Sequence, residues 1–231
     1  MNLVESVKNL NKFERCLWMG SILAIIASYI FSPDNYWLTI LASLVGVTAL
    51  IFVAKGDAMG QLLTVVFSIL YSLVSLKFRY FGEIFTYLGM TAPIAVVSMI
   101  TWIRNPYTAH EVKVNDLKKW SWLILIIVTG IVTFVFYFIL KACGTANLFI
   151  STVSIATSFA ASGLTFLRSP YYAVAYAAND IVLIILWVLA SLNNIEYLPM
   201  VLCFVIFFIN DLYGFYNWRV MRKRQYNKSV L

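Results

Sequence analysis

The sequence predicts an all-α integral membrane protein, because it is far more apolar than a soluble core requires. Of its 231 residues, 62% are hydrophobic and only 12% are charged, whereas soluble domains carry about 25% charged residues. Eight apolar stretches are each long enough to cross the ~30 Å hydrocarbon core of a bilayer as a helix. They lie at 16–31, 36–54, 59–76, 81–103, 120–140, 147–167, 171–190 and 196–216. The connectors are short, so we expect no soluble domain.

The positions of the basic residues predict how the helices are oriented. With eight spans, both termini lie on the same side of the membrane. Of the 17 Lys and Arg residues, 14 fall in the terminal segments and the even-numbered connectors, and only Lys77, Arg79 and Lys141 fall on the other side. Since cytoplasmic segments are enriched in Lys and Arg, we expect both termini in the cytoplasm. The net charge of +7 then indicates contact with anionic lipid and not with nucleic acid.

The order of the helices predicts an internal repeat. The connector 104–119 and the fifth apolar stretch separate two blocks of three helices. We assign residues 1–35 to an extra N-terminal helix, 36–103 to the first block, 104–146 to the connector and linking helix, 147–218 to the second block and 219–231 to a basic tail. Trp102 follows Lys55 by 47 residues, and Trp218 follows Arg168 by 50 residues. A single linking helix gives both blocks the same orientation, so the repeat is parallel and a solute site is expected between the blocks near mid-membrane.

Polar side chains within the predicted helices indicate where a solute binds. Polar groups at membrane depth are costly unless they line a cavity or bond to one another. The candidate binding residues share helical faces in the third, fourth, seventh and eighth stretches. They are Gln61, Tyr87, Thr91, Tyr172, Tyr176, Asn179, Asp180, Asn210, Asp211 and Tyr213. Amides, phenols and carboxyls suit a ligand with a flat heterocycle and sugar hydroxyls, while the alternative is that they only bond helices together.

Sequence motifs for catalysis and cofactor binding are absent. His110 is the only histidine and falls in a connector, so no His-Glu-x-x-His site exists, and there is no Gly-x-Ser-x-Gly elbow or P-loop. Cys16, Cys143 and Cys203 lack the spacing of a metal site. We therefore predict a transporter without a cofactor and not an enzyme. Asp180 and Asp211 leave proton-coupled transport and an intramembrane acid pair open, and a solute-capturing subunit of a larger transporter is a further alternative.

The segment 210–218, Asn-Asp-Leu-Tyr-Gly-Phe-Tyr-Asn-Trp, resembles a segment of the PnuC family of bacterial vitamin and nucleoside transporters. The Tyr-Phe-Gly-Glu turn at 80–83, the eight apolar stretches and the two blocks are also similar, so the resemblance covers nearly the whole chain. It implies facilitated diffusion of a nucleoside-like solute across the bacterial inner membrane. It also implies trapping of the solute by a cytoplasmic kinase without a stable complex, and it leaves a homo-oligomer open.

The seventh helix departs from the family's nicotinamide riboside members, which carry Trp-x-x-Trp-x-x-x-Asn there. This chain has Tyr172, Ala175 and Asn179 at those positions, so one indole is missing and the other is replaced by a phenol. Loss of an indole widens the pocket and weakens stacking on a cationic ring. We therefore expect a neutral solute, with deoxyribonucleosides first and nicotinamide riboside, thiamine or riboflavin as alternatives.

Overall fold

Among the residues that the structure describes, eight helices are long and apolar enough to cross a membrane. The computed structural model describes residues 3–30, 37–77, 80–145 and 147–230. After a short helix α1 (Leu3–Lys8), the spanning helices are α2 (Lys12–Ile30), α3 (Trp37–Lys55), α4 (Ala58–Lys77), α5 (Phe81–Arg104), α6 (Lys119–Ala142), α7 (Leu148–Phe166), α8 (Tyr172–Asn193) and α9 (Leu198–Val230). The prediction of an eight-helix all-α membrane protein is confirmed. The predicted end of the first helix at 31, the predicted start of the second helix at 36, and Arg79 lie outside the described residues.

Helix α5 contains a widened turn at Tyr87–Thr91. Within it, the Ala92 N–H donates to the Tyr87 carbonyl, five residues back in the chain. Pro93 follows directly, and proline has no N–H to donate and crowds the carbonyl four residues before it. The wider turn therefore accommodates the proline without ending the helix.

Helix α9 continues well beyond residue 216, where the predicted span ends, and its last turns form hydrogen bonds with the connector between α5 and α6. That connector forms a small antiparallel hairpin of β1 (Pro106–Thr108) and β2 (Glu111–Val112), which the sequence analysis did not predict. Gln225 of α9 accepts a hydrogen bond from Val114 N at 2.8 Å and donates to Glu111 Oε1 at 2.8 Å. The basic tail is thus helical through residue 230, and the membrane-external part of α9 supports the hairpin.

The two predicted blocks end their first helices in the same way. After α3 and after α7 a residue has a positive φ, Gly56 at +77° and Arg168 at +58°. In both, the next residue donates its N–H to the carbonyl five residues back at 2.9 Å, which is the Schellman pattern. Arg168 therefore corresponds to Gly56 and not to Lys55, one residue away from the predicted match. The end of the bundle with Lys55, Arg104 and Arg168 is called the basic end below.

Two tryptophans join the blocks at the basic end. Trp102 of α5 donates its Nε1–H to the Thr165 carbonyl of α7 at 3.0 Å, and Trp218 of α9 donates to the Val53 carbonyl of α3 at 2.9 Å. The two indoles are buried and their ring centroids lie 5.4 Å apart. The third helix of each block is therefore bonded to the first helix of the other block, as expected for a parallel repeat. The residue boundaries of the blocks stay predictions.

The extra N-terminal helix α2 lies across α3 and α9. Glu14 of α2 is fully buried and accepts hydrogen bonds from Lys55 Nζ at 3.0 Å and from Tyr213 Oη at 2.8 Å. Deeper in the bundle, Asn210 Nδ2 donates to Ser21 Oγ at 3.1 Å. Helices α3 and α9 belong to different blocks. By bonding to both, α2 stabilises one of the two contacts between the blocks. Helix α6, in contrast, packs on α7 and faces mostly outward.

Replacing Trp218 by Phe tests the tryptophan pair. The variant loses the Nε1 donor and part of the buried ring, so the free energy of unfolding should fall by about 1–3 kcal/mol. Trp120→Phe is the matched control, because Trp120 is 73% exposed and its replacement should change stability by no more than about 0.5 kcal/mol. Unfolding in one detergent at matched protein concentration measures both. Equal losses in the two variants would contradict the assigned role of Trp218.

Candidate functional site

A cavity of about 50 Å³ lies between the two blocks. Helices α3, α4 and α5 line it from the first block, and α7, α8 and α9 line it from the second. Seven of the ten residues predicted to bind solute lie on its wall: Gln61, Tyr87, Thr91, Tyr176, Asn179, Asp180 and Asp211. The structure therefore gathers residues that are up to 150 positions apart in the chain at one place.

The two blocks give this cavity different chemistry. Phe67 of the first block and Asn179 of the second each lie 11 residues after the matched cap positions, Gly56 and Arg168. The position that carries an aromatic ring in one block thus carries an amide in the other. Phe67 and Tyr87 provide aromatic surface from the first block, whereas the second block provides the carboxyl groups. The repeat is symmetric in its backbone and asymmetric at the site.

Asn179 is held from one side by hydroxyl groups of α7. Thr157 Oγ1 and Ser158 Oγ donate to Asn179 Oδ1 at 2.8 and 3.0 Å, and Ser154 Oγ lies 3.5 Å from the same atom. These three hydroxyl residues fall three and four positions apart, which places them on one helical face. Because α7 holds the carbonyl side of the amide, the two donors on Nδ2 are left for a solute.

Gln61 is a buried amide on the cavity wall. Its side chain is 2% exposed and lines the cavity, and no described residue forms a hydrogen bond with it. An unsatisfied buried polar group costs about 1–3 kcal/mol. A bound molecule that presents both a donor and an acceptor would satisfy the Gln61 amide.

Asp180 and Asp211 form a carboxyl pair on the same wall. Their side chains face the same cavity from the adjacent helices α8 and α9. Within the described part of the chain, no N–H or other O–H group donates to Asp180 Oδ2, and no Lys, Arg or His lines the cavity. Two carboxylates contain no donor, so a hydrogen bond between these groups requires a proton between them.

Aromatic rings fill the space between the cavity and the end of the bundle opposite the basic end. Phe67 packs against Phe207 and Tyr87 with ring centroids 5.5 and 5.6 Å apart. Beyond them, Trp187 Nε1 donates to Tyr71 Oη at 3.0 Å. A cavity of about 50 Å³ has room for roughly one or two water molecules. A nucleoside-sized solute therefore requires these rings to move apart.

The other three predicted residues do not line the cavity. Tyr172 packs against Trp218 with ring centroids 4.8 Å apart. Asn210 donates to Ser21, and Tyr213 donates to Glu14. These contacts join helices, which is the alternative that the sequence left open for buried polar groups. Ala175 likewise packs against the buried apolar residues around Trp102 and Trp218 and does not reach the cavity wall.

Sequence reasoning missed Phe67 and Phe207 as wall residues. The indirect signal for them is Gly46 in α3. A Cβ atom added at Gly46 would lie 2.4 Å from Phe207 Cζ and 2.9 Å from Phe67 Cδ2, closer than real Cβ contacts. A glycine within an apolar helix is therefore explained by the two rings packed on it.

Comparisons with known proteins agree with this architecture. The sequence model of the nicotinamide mononucleotide transporter family matches residues 36–220. The nicotinamide riboside transporter PnuC of Neisseria mucosa is 29% identical over 90% of this chain and 81% of its own length, and that of Haemophilus influenzae is 26% identical over 95% of both. The crystal structure of the vitamin B3 transporter PnuC superposes with a TM-score of 0.82 at 28% identity, covering 94% of each chain.

These relatives are named for nicotinamide riboside and for vitamin B3. They give no support to the deoxyribonucleoside branch, and they favour the alternative solute that the sequence analysis kept. The resemblance based on segment 210–218 is confirmed at the level of the family. The family match covers most of the chain, and the eight helices have the arrangement of a solved transporter. The protein therefore belongs to the nicotinamide mononucleotide transporter (PnuC) family and is a multi-pass membrane transporter, not an enzyme.

Proposed function

We propose that the protein carries nicotinamide riboside, or a riboside of the same shape and charge, by facilitated diffusion through the cavity between the blocks. The observation that carries this proposal is the set of polar groups on the wall that have no hydrogen-bond partner among the described residues, the Gln61 amide and Asp180 Oδ2. Nicotinamide riboside has a carboxamide, ribose hydroxyls and a positively charged ring. A carboxamide complements the Gln61 amide, and the sugar hydroxyls complement the free donors of Asn179.

The replaced tryptophans do not remove aromatic surface from this cavity. Tyr172 and Ala175 occupy the positions of the family's two indoles but do not line it, whereas Phe67, Tyr87 and Phe207 do. A flat cationic ring stacks on aromatic faces, and three rings are available on the wall. Deoxyribonucleosides stay the second candidate, because Tyr172 and Ala175 depart from the pattern of the nicotinamide riboside members.

The direction of insertion follows from the charges at the basic end. We place that end, and with it both termini, in the cytoplasm of a bacterial cell, because Lys and Arg accumulate on the cytoplasmic side. Solute released there is then retained by a cytoplasmic kinase that need not bind the transporter. A homo-oligomer is compatible with this arrangement and stays a prediction.

Replacing Asn179 by Leu tests the cavity as the solute site. The change nearly keeps the side-chain volume but leaves the polar edge of the solute unpaired, which costs about 1–3 kcal/mol. Binding of nicotinamide riboside should weaken by about fivefold to a hundredfold or more, since ~1.4 kcal/mol is a factor of ten. Asn210→Leu is the matched control: it removes the bond to Ser21, so it should lower the unfolding temperature and leave affinity nearly unchanged. Unchanged affinity in a folded Asn179→Leu protein would move the site elsewhere.

Flux in liposomes tests whether transport is uncoupled. The cavity wall contains no Lys, Arg or His, and no charged relay was found among the described residues that would link the two membrane faces. With the membrane potential clamped at zero, uptake of nicotinamide riboside should follow its concentration gradient and should not change when a pH gradient is imposed. Accumulation against the solute gradient in response to protons would contradict uncoupled transport and support the proton-coupled alternative.

The orientation is tested with cysteine labelling. Cys143 lies in the connector between α6 and α7 and is exposed, on the side opposite the termini. In intact cells a membrane-impermeant maleimide should label Cys143, and Cys143→Ser should abolish the label. Asn115→Cys in a Cys16→Ser/Cys143→Ser background should be labelled only after the cells are opened. Labelling of the Asn115→Cys variant in intact cells would reverse the proposed orientation.

A further inference from the structure

We infer that Asp180 and Asp211 act together as a single monoanionic site that selects solutes with a positively charged ring. The inference rests on the proposed function, and it names the part of the solute that the pair recognises. In this arrangement the two carboxyls share one proton, so the pair carries one negative charge in all. That charge balances the single positive charge of a pyridinium ring.

The geometry of the pair limits how many charges it carries. The two side chains line the same cavity of about 50 Å³ from the adjacent helices α8 and α9, and both are almost fully buried. Two carboxylates that face one small buried cavity repel each other strongly, so one of them keeps a proton. The remaining charge then belongs to the pair and not to either residue alone.

No other charged group of the described chain satisfies this anion from the cavity side. The titratable groups on the cavity wall are the pair itself and the phenols of Tyr87 and Tyr176. The nearest further carboxyl along α5 is Glu83, one helical turn from Tyr87, and it does not line the cavity. Lys55 is engaged by Glu14 at the basic end. The pair is therefore an anion in contact with a cavity and without a cation, and a cationic solute is the missing partner.

The unpaired Gln61 amide is an independent observation that points to the same ligand. It is buried, lines the cavity with the pair, and forms no hydrogen bond with any described residue. The Gln61 amide is neutral and does not require a cation. It has an acceptor oxygen and a donor NH₂ group, so a single ligand that satisfies it presents both a donor and an acceptor. A cationic ring that bears a carboxamide supplies both the charge for Asp180 and Asp211 and the two polar groups for Gln61.

Asparagine substitutions separate a shared charge from a charge on one residue. In Asp180→Asn or Asp211→Asn the amide replaces the protonated carboxyl as a donor of nearly the same shape, and the other carboxyl keeps the negative charge. In the double variant Asp180→Asn/Asp211→Asn the charge is gone and the shape is retained. Glu83→Gln is the control, because it removes a buried carboxyl that is not on the cavity wall.

The experiment measures binding of two probes to purified protein. One probe is nicotinamide riboside, and the other is its reduced dihydro form, which has the same carboxamide and ribose but no charge. Glu83→Gln should bind nicotinamide riboside within about threefold of wild type, and each single variant should lose about tenfold less affinity than the double variant. The double variant should lose about 30-fold or more, the range seen when one member of a buried charge pair is removed. Its affinity for the uncharged form should stay within about threefold of wild type.

The outcomes distinguish this inference from the proposed function. A wild-type protein that binds neither probe refutes the proposed function and the inference with it. A wild type that binds nicotinamide riboside and a folded double variant that binds it equally well refute the inference alone. A single variant that loses as much as the double variant assigns the charge to one carboxyl and also overturns the shared site. If the double variant does not fold, the affinities of the wild type for the two probes test the inference. Tighter binding of nicotinamide riboside supports a monoanionic site, and tighter binding of the uncharged form contradicts it.

Discussion

The contact between Trp102 and Trp218 determines where this protein has room for a solute. Each indole donates to the last turn of a helix in the other block, at Thr165 and Val53. These carbonyls also accept a backbone N–H three residues later, from Arg168 and Gly56. The tryptophans thus tie both blocks together at the basic end through groups that the helix ends leave available. Farther from that end, all three helices of each block enclose the cavity.

The same arrangement explains why the site is asymmetric. A parallel repeat places equivalent positions of the two blocks on opposite walls of one cavity, so a polar residue in both blocks would give a wall that is polar all round. Here one block places Phe67 where the other places Asn179. A flat heterocycle with a polar edge has faces to stack and an edge to bond, so such a molecule fits a cavity that presents both aromatic rings and polar groups.

The two blocks meet in two contacts, α3 with α9 and α5 with α7. The extra helix α2 supports only the first of them. The contact of α3 with α9 is fastened by α2 through Glu14 and by the bond from Asn210 to Ser21. Glu14 is buried with Lys55 and Tyr213 as partners, and removal of one member of such a network leaves a buried charge uncompensated. The contact of α5 with α7 has α6 beside it, with an apolar groove lined by Pro93, Leu125 and Phe166 between them. One contact is therefore bonded through polar groups, whereas the other is apolar along its membrane face.

The sequence by itself determined the class of protein, the number of spans and the parallel repeat. Hydrophobic length needs no tertiary contact to be recognised, because every backbone polar group in a membrane helix is satisfied within its own segment. The sequence also indicated seven of the residues on the cavity wall, since Gln61, Asp180 and their neighbours are polar groups at membrane depth. Only the tertiary structure decided which buried polar groups face the cavity and which bond to another helix. Asn179 and Asn210 both precede an aspartate at similar depth in adjacent helices. Asn179 reaches the cavity, while Asn210 meets Ser21 of α2, because the neighbour of a helical face is set by packing and not by the residues on that face.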